Sequence, residues 1–125
     1  MDYSKMSDQE INMAVAAIIH PESTVIESKS RPPCACITGQ LPSYWVDYCN
    51  APADAWSIIA DKKICLAFDV FAEPQDGGGW VASPAYGWET ERVRHDNPLR
   101  AAMILFLKMQ ESANVPANSM GSDLR

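Results

Sequence analysis

Two cysteines two residues apart, Cys34 and Cys36, offer the most pointed chemistry in this chain. On a strand, residues two apart share a face, so their sulfurs could approach one metal ion, with His20 or His95 completing the shell. Cys-x-Cys is not the Cys-x-x-Cys spacing of a zinc knuckle or a thioredoxin-type site. Free cysteine is also among the most buried residue types, so Cys34, Cys36, Cys49 and Cys65 read as reduced core side chains. No metal and no cofactor is expected. Acid–base or nucleophilic catalysis would draw on His95 with Asp96 or Asp54, or on a cysteine thiolate beside His95. Nothing in the spacing brings these groups together, and no catalytic residue is assigned. Gly77-Gly78-Gly79 lacks the Lys-Ser/Thr of a phosphate loop and opens no helix, so it reads as a hairpin turn. Arg92, Arg94 and Arg100, with His95 among them, form the one basic cluster. They flank a helix start, where free backbone amides favour an anion.

The elements that must position these groups begin with Ser7-Asp8-Gln9-Glu10, a capping box in which Ser7 and Glu10 satisfy each other's backbone amides. Ile11, Ala14, Val15, Ile18 and Ile19 follow at helical spacing, and Pro21 stops the helix near His20. Thr24 to Glu27 and Cys34 to Thr38 are short β-prone runs separated by a polar, Pro-rich loop. A short helix opens at Asn50 or Pro52, with Trp56, Ile58 and Ile59 expected inward. Lys63 to Phe71 alternates, and both its faces are apolar, which predicts a central strand. Trp80 to Ser83 returns as its hairpin partner, and Pro84 to Asp96 reads as loop. Asn97 caps and Pro98 begins a last helix, whose apolar circumference from Leu99 onward demands burial. Pro116 ends the ordered part. The fold class is therefore α+β: a small, mainly antiparallel sheet of three to four strands, with an N-terminal and a C-terminal helix packed on one face.

At 125 residues and 47% hydrophobic content the chain suits one domain, assigned to residues 1–117, with 118–125 a disordered tail and 121–125 reading as a vector remnant. No apolar run approaches the ~20 residues of a membrane span, and the N-terminus lacks a secretory pattern, so a cytoplasmic location is expected. The net charge is −6, and residues 47–91 carry all of this excess: eight acids against Lys62 and Lys63. Such a balance repels phosphate and could attract a basic partner.

Three patches resemble the NinX-like family of small proteins of lambdoid phages and prophages. The first is Met1-Asp2-Tyr3-Ser4 leading into Ile11 to Ala16; the second is Asp47-Tyr48-Cys49-Asn50-Ala51-Pro52-Ala53-Asp54-Ala55-Trp56-Ser57-Ile58-Ile59. The third joins Trp80-Val81-Ala82 to Asn97-Pro98-Leu99-Arg100-Ala101-Ala102-Met103. Residues 22–43 have no counterpart in this pattern and look like an insertion or loop region. The resemblance implies a gene among the accessory recombination and regulatory functions of a phage, and it supplies no catalytic residues.

A non-catalytic accessory protein that binds a host or phage protein is the leading expectation, with self-association into a homo-oligomer as one form of it. Its contact surface is placed on the aromatic, acidic middle: Tyr44, Trp45, Tyr48, Asp54 and Trp56, with Trp80 and Trp88. An acidic mimic of nucleic acid that blocks a host DNA-binding protein is the first alternative. Weak nucleic-acid binding through Arg92, Arg94 and Arg100 is the second; the order helix, strands, helix is similar to that of double-stranded RNA-binding domains, a likeness of topology alone.

Overall fold

The computed structural model of the protein describes residues 2–39, 42–85 and 91–113. Three helices, α1 (Asp8–Ile19), α2 (Pro52–Lys62) and α3 (Pro98–Ala113), combine with six short strands. The fold class is α+β, with helices near both ends. The strands divide between two antiparallel meanders: β1 (Thr24–Glu27), β2 (Ala35–Thr38) and β3 (Tyr44–Val46) in one, β4 (Ile64–Phe68), β5 (Trp80–Pro84) and β6 (Val93–His95) in the other. Contacts run from the first sheet through α1 and α3 to the second sheet, so each meander has its own helix and the two helices pack together.

The capping box forms as the sequence predicts. The Glu10 amide donates to Ser7 Oγ at 3.0 Å, and the Ser7 amide donates to Glu10 Oε1 at 2.8 Å. Ile11, Val15 and Ala16 then face the core. Replacement of Ser7 by Ala should lower stability by about 1 kcal/mol, read as a shifted urea midpoint at constant slope; an unmoved midpoint would show that Glu10 alone holds the helix start.

The stretch expected to be an insertion supplies two of the first sheet's three strands. Ala35 and Ile37 of β2 are buried, and α1 packs on β1 and β2. This half of the core therefore depends on residues 22–43. Beneath it runs a polar hub. Asn12, fully buried, donates to the Pro33 carbonyl and to Asp47 Oδ1, and accepts from the Cys49 amide.

Helix α3 is central. Residues 101–107 are buried without a break, because the second sheet, α1 and α2 surround this helix. An apolar circumference is what such a position requires. Asn97 caps it, with Oδ1 accepting from the Leu99 amide at 2.9 Å.

Two expectations are corrected. Strand β4 lies at an edge of its sheet and β5 is central, flanked by β4 and by β6 from the stretch expected to be loop. And Ala55, Ile58 and Ile59, not Trp56, form the buried stripe of α2; Trp56 is 64% exposed. At 100° per residue Ala55, Ile58 and Ile59 share one face and Trp56 falls beside it, a spacing visible in the sequence. The expected tail 118–125 and the helix stop at Pro116 lie outside the described residues.

Candidate functional site

The residues singled out for chemistry are mostly engaged in structure. Cys49 is buried, and burial pushes its thiol up to about 12, so it keeps its proton at neutral pH. Burial also raises Cys34. Among the described residues, no group of three His, Cys, Asp or Glu side chains converges as a metal site would require. His20 meets the Tyr44 hydroxyl at 3.3 Å through Nε2. His95 Nδ1 accepts the Asn97 amide at 2.9 Å, which leaves Nε2 to carry the ring hydrogen in the neutral form. No hydrogen bond joins His95 to Asp54 or Asp96 among the described residues.

The aromatic middle does not form one surface. Tyr48 is core, and burial raises its phenol well above the ordinary range. Tyr44 and Trp45 lie on the edge strand β3, where the Arg31 guanidinium covers the Trp45 ring at 4.3 Å from its centroid. Asp54 Oδ2 accepts the Asp47 amide at 2.9 Å, fixing the turn into α2. Trp56 is exposed on α2, and Trp88 lies outside the described residues.

The basic cluster is also divided. Arg100 is inside the protein: its guanidinium donates to Asp8 Oδ1 at 2.6 Å and to the Ser4 and Met6 carbonyls. It faces α1 and the N-terminal segment and does not join Arg92 and Arg94. Arg94 donates to Asp69 Oδ2 at 2.8 Å and to the Gly78 carbonyl. Arg92, Arg94 and His95 instead line a small hollow with Lys108 and Asp2, about 270 Å³ in volume.

Sequence reasoning missed the residues that stand out most. Phe68, Val70 and Phe71 are 56%, 73% and 87% exposed, three large apolar side chains within four residues. Lys63 to Phe71 alternates like one strand, but the ladder ends at Phe68. Asp69 ends it. Its amide donates to the Gly79 carbonyl at 2.7 Å, its Oδ1 accepts the Phe71 amide at 2.9 Å, and its carbonyl accepts the Ala72 amide. This is the local side chain-to-backbone bonding by which Asp competes with a strand. The hydrogen bonds from Arg94, and then from the Phe71 amide, hold the Asp69 carboxyl below its usual range. Val70 and Phe71 thus sit on a turn fixed at both ends.

The rest of the hairpin is equally set. Glu73 and Asp76 cap a 3-10 turn over Pro74–Asp76. Gly77 and Gly78 take positive φ of 97° and 136°. A Cβ on Gly79 would stand 2.6 Å from the Phe68 ring, so the glycine makes room for that ring. Phe68 in turn meets Trp80 edge to face, centroids 5.3 Å apart. Between the turn and the glycines lies a cleft of about 640 Å³, walled by Phe68, Val70, Ala72 and Pro74, with Asp69, Glu73 and Asp96 as its carboxylates. The sequence signals for this site were a strand apolar on both faces and the Gly77-Gly78-Gly79 turn.

No helix of the described residues is long and apolar enough to cross a membrane. A comparison with curated proteins and with solved structures gave no match. The family described as Bacteriophage P22, NinX matches residues 2–110, through both meanders and most of α3. With that match extending over most of its length, including the helix start at Asn97-Pro98 and the hairpin that carries Phe68, the chain belongs to the NinX family of phage proteins.

Proposed function

We propose that this phage protein is a non-catalytic accessory factor that acts in the host cytoplasm by binding another protein, through the end of the β4–β5 hairpin. The observation that carries the reading is the display of Phe68 at the end of β4 and of Val70 and Phe71 on the hydrogen-bonded turn that follows it. Single exposed apolar residues are ordinary on a surface; three within four residues, at a strand end and on the fixed turn after it, are not explained by solubility. Aromatic side chains are the usual energetic anchors of interfaces. A turn already held in one geometry loses little conformational freedom on association, which favours binding.

The acidic-mimic alternative has less support. Asp47 accepts from Asn12 and Asn50, Asp54 from the Asp47 amide, and Asp69 from Arg94, so these acids serve the fold. Nucleic-acid binding loses Arg100 to the interior and Arg94 to Asp69.

A photo-reactive amino acid at position 71, introduced in cells carrying the phage, tests the reading. An adduct of discrete mass is expected from position 71 and not from position 60 on the exposed side of α2. Phe71→Ser should weaken the purified complex about tenfold or more while changing stability by less than about 0.5 kcal/mol. Equal adducts from both positions would overturn the assignment.

A further inference from the structure

We infer that the segment received by this hairpin end is basic as well as apolar: a stretch of a partner protein with Lys or Arg next to an aliphatic or aromatic side chain. The inference rests on the docking role proposed above and specifies its ligand. Its ground is charge complementarity around an apolar surface. Of the cleft's carboxylates, Asp69 is matched by Arg94. Glu73 and Asp96 have no ion-pair partner among the described residues. Glu73 is nonetheless held in place, its Oε1 accepting from Gln75 Nε2 at 2.6 Å, its amide donating to Asp76 Oδ2 at 2.8 Å and its carbonyl accepting the Asp76 amide.

A long cationic side chain suits this arrangement in each of its parts. Its methylenes can lie along Phe68 and Pro74, and its charged head can reach Glu73 and Asp96. Phe71, beside the cleft and largely uncovered, offers a ring face to a second cation. A neighbouring apolar residue would cover Val70. An acidic or phosphate-bearing ligand would meet the same carboxylates with repulsion. A second copy of the chain is disfavoured by the same charges: a two-fold interface here would set Glu73 and Asp96 of one copy near those of the other, in a protein of net charge −6.

The test uses the full chain, immobilised, and a display library of random twelve-residue peptides. Enriched peptides are expected to carry Lys or Arg next to Phe, Leu or Trp. A synthetic peptide of the winning sequence should bind the Glu73→Gln, Asp96→Asn double variant roughly fivefold to tenfold more weakly, and should lose affinity with rising salt. Gln and Asn keep the shapes of the acids, and thermal melting of the variant should be unchanged. Winning peptides that are acidic or uncharged, or that bind both proteins equally, would overturn the basic assignment while leaving the docking role intact if Phe71→Ser abolishes their binding. Sedimentation showing a dimer that Phe71→Ser dissolves would also overturn it. Absence of any peptide sensitive to Phe71→Ser would remove the docking role and this inference together.

Discussion

Replacement of Arg100 by Met should destabilise the protein by about 3 kcal/mol, the low end of what breaking a buried ion pair removes. The guanidinium is reached only from inside: the Arg100 side chain is 8% exposed, while Asp8 is 32% exposed. Its two terminal nitrogens serve Asp8 Oδ1 and the carbonyls of Ser4 and Met6. One side chain in the first turn of α3 therefore fixes both the first turn of α1 and the segment that precedes it. Tyr3 in that segment is buried, its phenol pushed up to about 12 by burial and by its hydrogen bond to Glu111. Met keeps the apolar stem and removes every donor, so Asp8 and two carbonyls lose their partner. Asp8 retains Asn50 Nδ2 at 3.2 Å and some contact with water, which is why the upper end of the range is not expected. The loss should appear as a fall of roughly 9–14 °C in Tm. Lys at this position should recover part of it, since an ammonium can meet Asp8 but lacks the fork that spans three acceptors. In a double-mutant cycle with Asp8→Asn the two changes should be strongly non-additive. A Met variant within about 0.5 kcal/mol of the parent would show that the guanidinium merely breaks even with its desolvation.

Arg100 also marks where sequence reading stops. Its chemical type and its place at a helix start pointed outward, to an anion, together with Arg92 and Arg94. Its true partner, Asp8, is 92 residues away along the chain, and no local pattern carries that distance. Local signals succeeded where the physics is local. The Ser7–Glu10 box, Pro52 at the start of α2, the Asn97 cap and the glycine turn all formed as read. The inward face of α2 was also legible, in the spacing of Ala55, Ile58 and Ile59, and Trp56 was misplaced because its size outweighed its position. Strand β4 failed for a different reason. Apolar residues on both faces mean either burial on both faces or display on one, and periodicity does not distinguish them. Here the face carrying Cys65 and Ala67 is exposed, Phe68 lies on the face of Ile64 and Leu66 but at the open end of the strand, Asp69 stops the ladder, and Phe71 belongs to the turn. The division into two meanders was equally out of reach, since it depends on which strands each helix covers.

The three hairpin glycines should separate stability from docking. Gly78→Ala is expected to be the most damaging, by about 3 kcal/mol. Its φ of 136° is one that a residue with a Cβ rarely adopts, which accounts for about 1–3 kcal/mol. The added carbon would also overlap the backbone of His95 and Asp96, standing 2.6 Å from His95 Cα and 2.5 Å from the Asp96 amide nitrogen. Those atoms belong to the end of β6 and the approach to α3, so they can yield only by moving the hairpin away from the sheet. The Arg94 hydrogen bond to the Gly78 carbonyl would go with that movement, and the ion pair to Asp69 would lose its alignment. Gly77→Ala meets only Arg94 Cβ, at 4.0 Å, so its penalty is the φ of 97° alone, about 1–2 kcal/mol. Gly79→Ala carries no positive φ, and its Cβ would strike the Phe68 ring, a side chain able to rotate. The fold should tolerate that change with a smaller loss of Tm than either neighbour causes. The displayed surface should not, because Phe68 is displaced from its seat against Trp80. Gly79→Ala should therefore impair binding of a peptide that depends on Phe71 out of proportion to its effect on melting, whereas Gly77→Ala should do the reverse. If binding simply tracked Tm across the three variants, the hairpin end would be a structural corner and the docking surface would have to be sought elsewhere.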